Sequence, residues 1–443
     1  MFDALFTTTT EYKKLSHALS GKGACALFGL PASGRAQVYA ALCRQLDKPL
    51  CIVTPGEAEA TRFAADLNTL GIPAAVFPAR DYVLRPIEGT AREYEYRRLA
   101  VLGELVGGRL RAVAVPAEAL TQFTTPKEDF CANTRTLHAG DTLLRDDLLA
   151  ALFGAGYTRR AQVDGPGQFS VRGDIVDIFA PDQKMPVRME FWGDEIDTLH
   201  TFDLTTQRRE DAIDKFYLSP AREVLFGKPA DAAEQLRAFL AKQRGKKKTV
   251  MADCMAADLD LLDGGAVPVN MDKYLAVRYP HPATVLDYFD DPILVAEEPA
   301  SIREADRATA YRRGEELKSL ILDGVLCAGL DNLYADPSYL WSKTGHYRTI
   351  CAENFARSMP DQPLKDIINT PAHTLPAWNG EVAGLLEDLK PLCDAGYTVT
   401  LLAGTDRAAA GLARDLRDKG ILVTTDAAAA PATVRRMTLS PEQ

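Results

Sequence analysis

Apolar and polar positions in the first 120 residues fall into two alternating textures. Short solid apolar runs include "ACALFGL" (24–30), "PLCIVTP" (49–55), "AAVFPA" (74–79) and "RAVAVP" (111–116). Between them, "RAQVYAALCRQL" (35–46), "GEAEATRFAADLNTL" (56–70) and "AREYEYRRLAVLGELV" (91–106) space their apolar residues three to four apart. Solid runs bounded by Gly and Pro predict buried strands, and the longer period predicts helices. Their alternation predicts α/β architecture around a mainly parallel sheet.

The texture changes near residue 137. "DTLLRDDLLAALFGAGY" (141–157) predicts an amphipathic helix with Leu144, Leu148, Leu152 and Phe153 on one stripe. "QFSVRGDIVDIFA" (168–180) and "VRMEFWGDEIDTLHTFD" (187–203) follow as two strand regions rich in β-branched and aromatic residues. A small α+β domain over 125–208, inserted into an α/β domain spanning 1–124 and 209–360, accounts for this. "LDYFDDPILVAEEP" (286–299) restores the α/β texture, and a charged helix follows it. Residues 331–372 carry turn signals and little periodicity, so 361–372 reads as a linker. The last stretch, 373–443, reads as helix, strand, helix, strand, a small C-terminal α/β domain of unclear role. The run "KQRGKKKT" (242–249) reads as a solvated connector. The abrupt stop at "MTLSPEQ" suggests a piece of a longer protein.

Within this frame the composition removes options. The 443 residues carry a net charge of −10, which disfavours a whole-surface nucleic-acid binder while leaving room for a local basic patch. Eight cysteines include no C-x-x-C pair and none has His at zinc-ligand spacing, so they read as reduced cytosolic thiols. No signal peptide or membrane-spanning run is apparent, and a cytoplasmic protein with no metal site is expected. Six scattered histidines form no hydrolytic motif.

One motif carries chemistry. "FGLPASGRAQ" (28–37) has the frame of G-x-x-x-x-G-K-[ST], with Gly29 and Gly34 at the right spacing. Arg35 stands where the phosphate-reaching lysine belongs, and Ala36 where a hydroxyl would ligate Mg²⁺. Alanine has no oxygen to offer, and a planar guanidinium does not replace a compact ammonium. "PILVAEEP" places Glu297 where a Walker B acid would follow its strand. These five positions read as a degenerate nucleotide site, and no cofactor is expected in this chain. An ordinary strand-to-helix turn would use the same glycines, and a P-loop ATPase or helicase subunit with a variant loop is the enzymatic alternative.

The patterns F-x-V-R-G-D-x-x-D-I-F (169–179) and V-R-x-E-F-x-G-D-E-I-D (187–197) are long and specific. Here the chain resembles the inserted domain shared by UvrB, a nucleotide-excision-repair helicase-like protein, and Mfd, the bacterial transcription-repair-coupling factor family. The damaged P-loop and the short "DYVLRPIEGTAREYEYRRL" stretch, too short for UvrB's DNA-probing hairpin, resemble the N-terminal UvrB-like module of Mfd more than UvrB. The resemblance implies a docking site for UvrA, with Arg159, Arg172, Phe179, Arg188 and Glu190 as partner-binding residues. The UvrB contact arginine two positions before Arg172 is Ser170 here. Alternation along the strands sets Arg172, Arg188 and Glu190 opposite an inward face of Phe169, Val171, Val187, Met189 and Phe191, with a bulge or bend at Gly173-Asp174. Solvation of one sheet face is the plainer account of these charges. The resemblance further implies a parent protein that is an ATP-dependent DNA translocase. Its ATP and Mg²⁺ sites and its contacts to RNA polymerase and DNA would lie in absent domains, and it leaves open a masking of the docking face by the parent's C-terminal part.

Overall fold

The computed structural model describes residues 7–87, 92–357, 359, 362–370, 382–395, 401, 406–421 and 423. The chain first lays down strands β1 (Gly23–Phe28), β2 (Leu50–Thr54), β3 (Ala74–Val76) and β4 (Ala112–Pro116), with helices Ala32–Leu46, Glu57–Thr69 and Glu93–Val106 between them. All join one parallel sheet, as the alternating textures predict.

The chain then leaves that sheet and builds a second unit. It comprises β5 (Arg135–His138), helix Arg145–Gly154, β6 (Thr158–Arg159), β7 (Gln168–Arg172), β8 (Ile175–Phe179), β9 (Val187–Trp192), β10 (Glu195–Phe202), β11 (Arg209–Ala212) and β12 (Lys215–Leu218). Six of these strands form a sheet in the order β11-β10-β9-β8-β7-β6, and β12 pairs with β5. Phe169, Val176, Ile178, Val187, Met189 and Leu199 pack on one face against Leu148 and Leu152 of the helix and Phe216 and Leu218 of β12.

Two helices, Pro229–Ala241 and Gly245–Asp263, pack together before the chain returns as β13 (Ile293–Glu297), helix Pro299–Leu322, β14 (Arg348–Glu353) and β15 (Leu364–Asn369). The large sheet has the order β15-β1-β14-β13-β2-β4-β3, with every pair parallel. β1 and β2 are therefore separated by two late strands. The turn after β1 opens beside the carboxyl ends of β13 and β14, where such sheets place their crevice.

Several expectations need correction. Each of the two strand regions, 168–180 and 187–203, is a hairpin. Gly173 (φ 60°) and Gly193 (φ 62°) supply the left-handed turn conformation that other residues resist, so the break in apolar phase at Gly173-Asp174 is a chain reversal. Leu144 precedes the helix and is exposed, while Leu148 and Leu152 are fully buried. Residues 245–249 are helical, because Met251, Met255 and Leu262 further along bury one face and draw the lysines into the helix. β14 lies at the sheet centre although "RTICAE" falls in the stretch 331–372, whose turn signals and weak periodicity predict no strand. Its apolar run, Ile350 to Ala352, is only three residues long, yet all of Thr349 to Glu353 is buried. Within 361–372, read as linker, residues 364–369 form the edge strand β15. In the last stretch helices Val382–Asp394 and Asp406–Asp418 form, and the two strands expected there lie outside the described residues.

A buried charge network fixes the inserted unit to the body. Arg98 of helix Glu93–Val106 donates to Glu223, just past β12, from Nε (2.6 Å) and Nη2 (3.2 Å), and to Gln122 Oε1 from Nη1 (2.9 Å). Arg80 reaches Asp272 (2.7 Å) and Glu223 (3.2 Å). Glu95 accepts from Arg92 (2.7 Å) and from the Glu223 backbone N–H (2.9 Å). Burial would raise the Glu95 carboxyl, but the Arg80, Arg92 and Arg222 charges outweigh it and hold it at about 2.

Candidate functional site

The six-stranded sheet has one covered face and one carrying charge. Its register aligns Arg172 with Ile175, Ile175 with Glu190, and Glu190 with Thr198. The next row aligns Ser170, Asp177, Arg188 and His200. Alternation puts both rows on the side away from Phe169 and Val176. Arg172, Arg188 and Glu190 are thus brought together as the sequence pattern predicts.

Their environments differ. Asp177 is fully buried at the centre. It accepts from Arg172 Nη2 at 2.7 Å and from Arg188 through both Nε (2.7 Å) and Nη2 (3.0 Å). Arg188 also donates to the Gln207 carbonyl and stacks over the Phe202 ring, 4.8 Å from its centroid. Its side chain is 11% exposed, whereas that of Arg172 is 49% exposed. Arg188 is spent inside the domain, and Arg172 keeps most of its donor fork in water. Glu190 pairs with Arg209 and accepts from Thr198 Oγ1 at 3.3 Å.

Phe179 belongs to this face by register but lies beneath it, 6% exposed, packed with Val163 and Phe202. Arg159 aligns with Phe169 on the edge strand, so it emerges on the other side of the sheet. There it is exposed on the rim of a groove of about 630 Å³ between the inserted unit and the body. The structure does not bring Arg159 onto the Arg172 face.

Sequence reasoning missed Trp192. It follows Glu190 by two positions on β9, shares its face, and is 82% exposed. Its indole is therefore available to solvent on the same face as Arg172 and Glu190. The signal was legible: Val187, Met189 and Phe191 point inward, so Trp192 falls in the outward phase with Arg188 and Glu190. Asp177 was missed for the opposite reason. It sits within the apolar run "IVDIF", and its partners come from neighbouring strands.

The degenerate nucleotide motif is built into the core. The helix begins at Ala32, two residues before Gly34, and the Arg35 backbone N–H already donates to the Pro31 carbonyl at 2.9 Å. The loop that would cradle phosphate with its amides is therefore replaced by a first helical turn. Gly29 (φ 87°) serves a different close approach, since a Cβ there would meet the Thr370 carbonyl oxygen at 2.1 Å. Arg35 is 3% exposed and pairs with Glu297 (3.0 Å) and Glu298 (2.9 Å), while the Tyr39 hydroxyl donates to Glu297. Burial pushes the Glu297 carboxyl up to about 7, with Arg35 pulling the other way. Ala36 is fully buried in the core under the sheet. These residues do not fit a bound nucleotide: the cation is occupied internally, the loop amide is used, and no hydroxyl stands at the metal position.

Comparison with known proteins agrees with this architecture. Residues 136–224 match the UvrB interaction domain. That span runs from β5 past β12 to the charge network at Glu223. The chain is 25% identical to the transcription-repair-coupling factor of Bacillus subtilis over 406 residues, covering 89% of this chain and 34% of that protein. It is 31% identical to that of Myxococcus xanthus over 288 residues (61% and 24%) and 34% identical to that of Mycobacterium bovis over 299 residues (65% and 24%). The chain thus spans between about a quarter and about a third of the length of these relatives. A stretch that matches the UvrB interaction domain is thus set into a parallel α/β body, in a chain similar to part of the transcription-repair-coupling factors.

Proposed function

We propose that this module docks UvrA and so recruits nucleotide-excision repair to a stalled RNA polymerase. The observation that carries the reading is the face of Arg172, Glu190 and Trp192 within the span matched as a UvrB interaction domain. A half-exposed arginine can grip a partner carboxylate with its planar fork. An exposed tryptophan beside it is the side chain most enriched at binding hot spots.

The module itself does no ATP chemistry in this reading. Its P-loop frame is a structural relic in which Arg35 and Glu297 neutralise each other. ATP-driven DNA translocation and the contacts to polymerase belong to other parts of a longer cytoplasmic parent. Purified UvrA immobilised on beads tests the reading. The full chain is expected to be retained at micromolar concentration, and failure to retain a folded chain overturns it.

A further inference from the structure

Lys242, Arg244, Lys246, Lys247 and Lys248 crowd five cations into seven residues where helix Pro229–Ala241 hands over to helix Gly245–Asp263. All five are exposed. Among the described residues, none of them takes part in an ion pair, although the same helix pair sets Arg237 against Asp263. No acidic residue stands in the first turn of the second helix. Mutual repulsion there disfavours the isolated fold, and no ion pair among the described residues offsets it.

We propose that this strip binds the phosphodiester backbone of nucleic acid. Four of the five cations are lysines, and residues 242–249 include no aromatic side chain. Lysine is depleted from protein–protein interfaces, whereas Lys and Arg on phosphate are the ordinary sequence-independent contact to a duplex. The five cations are thus grouped across the break between the two helices, and duplex DNA presents a charge about every 1.7 Å of its axis. The net charge of −10 disfavours contact over the whole surface, so a polyanion is expected at a local cluster of cations such as this one. Such a contact would hold the module near DNA without reading its sequence.

Anisotropy titration of a labelled duplex of about 20 base pairs with the full chain, over a series of salt concentrations, tests this. Five neutralised phosphates predict a slope of about −4 to −5 in log K against log salt. The triple variant Lys246→Gln, Lys247→Gln, Lys248→Gln is expected to keep its melting temperature. It should bind at least about tenfold more weakly at about 50 mM salt, with a slope near −2. Lys13→Gln with Lys14→Gln removes exposed cations elsewhere and is expected to bind like wild type. A single strand of the same length shows whether duplex geometry matters, and binding of either nucleic acid that the triple variant loses supports the proposal. The proposal is overturned if neither is bound at about 100 µM chain, if the triple variant binds like wild type, or if the Lys13 and Lys14 pair loses as much. It is equally overturned if the strip takes polyglutamate or phosphatidylserine vesicles in preference to nucleic acid.

Discussion

At the residue scale, two arginines that look alike in the sequence have opposite tasks. Arg172→Ala leaves Asp177 with the two-point grip of Arg188, so no charge is orphaned. Arg188→Ala leaves the buried Asp177 carboxylate with a single half-exposed partner and strips the cover from Phe202. Breaking a buried pair costs about 3 kcal/mol, and chemical denaturation of Arg188→Ala should show a loss of that order. Trp192 is 82% exposed, so Trp192→Ala removes little internal packing. It is expected to leave stability within about 0.5 kcal/mol and weaken UvrA binding about tenfold or more, at least about 1.4 kcal/mol, as hot-spot truncations do. A titration in which Trp192→Ala binds like wild type would remove that residue from the interface. Glu297 gives a pH prediction. Its folded value near 7 lies above the ordinary carboxyl value of 4.5, so the native state holds the extra proton between these limits. Its contribution is present below about 4.5 and lost as pH rises through about 7. Glu297→Gln should therefore flatten the stability profile between pH 5 and 8, measured as denaturant midpoints. An unchanged slope would show that Glu297 does not titrate there. Which residues share a face was legible from alternation. Which charges were spent on one another was not, because Asp177 and Arg188 meet only through strand pairing.

At the element scale, strong periodicity located most of the first sheet and the insertion, but the edges of units followed other rules. β12 lies beyond residue 208, where the apolar texture fades, yet Phe216 and Leu218 sit in the core of the inserted unit. β14 and β15 carry charged and polar residues that leave only short apolar runs, and pairing with the neighbouring β1 and β13 makes them strands. A direct consequence concerns fragments. Residues 125–208 lose two large buried side chains and the partner of β5, worth at least about 3 kcal/mol by analogy with core truncations. Residues 125–226 keep them. Thermal melts of the two fragments should show a cooperative transition for the longer one and a much lower or absent one for the shorter. Equal melting temperatures would mean that β12 contributes nothing to the unit.

At the scale of the whole molecule, the parallel sheet keeps the layout of a nucleotide-binding fold while its crevice is closed from within. A helical turn stands where the loop would be, and Arg35 is tied to the acid at the end of β13. The motif's frame was visible in the sequence, but the ion pair was not, since its partners are 262 residues apart and meet only because β13 lies near β1. Thermal melts with millimolar ATP–Mg²⁺ are expected to show no shift, where binding at a hundredfold excess over Kd would add about 2.7 kcal/mol. What the fold retains is a rigid platform. The buried network of Arg80, Arg98, Glu223 and Asp272 holds the inserted unit on that body with its charged face outward. The measurement that bears most directly on this account is a calorimetric titration of UvrA with the wild-type chain and with Arg172→Ala and Arg172→Lys. The account predicts binding by the wild type, at least about a tenfold loss for alanine with an unchanged melting temperature, and only partial rescue by lysine, whose point charge lacks the bidentate fork. Wild-type affinity in a well-folded Arg172→Ala chain would contradict it.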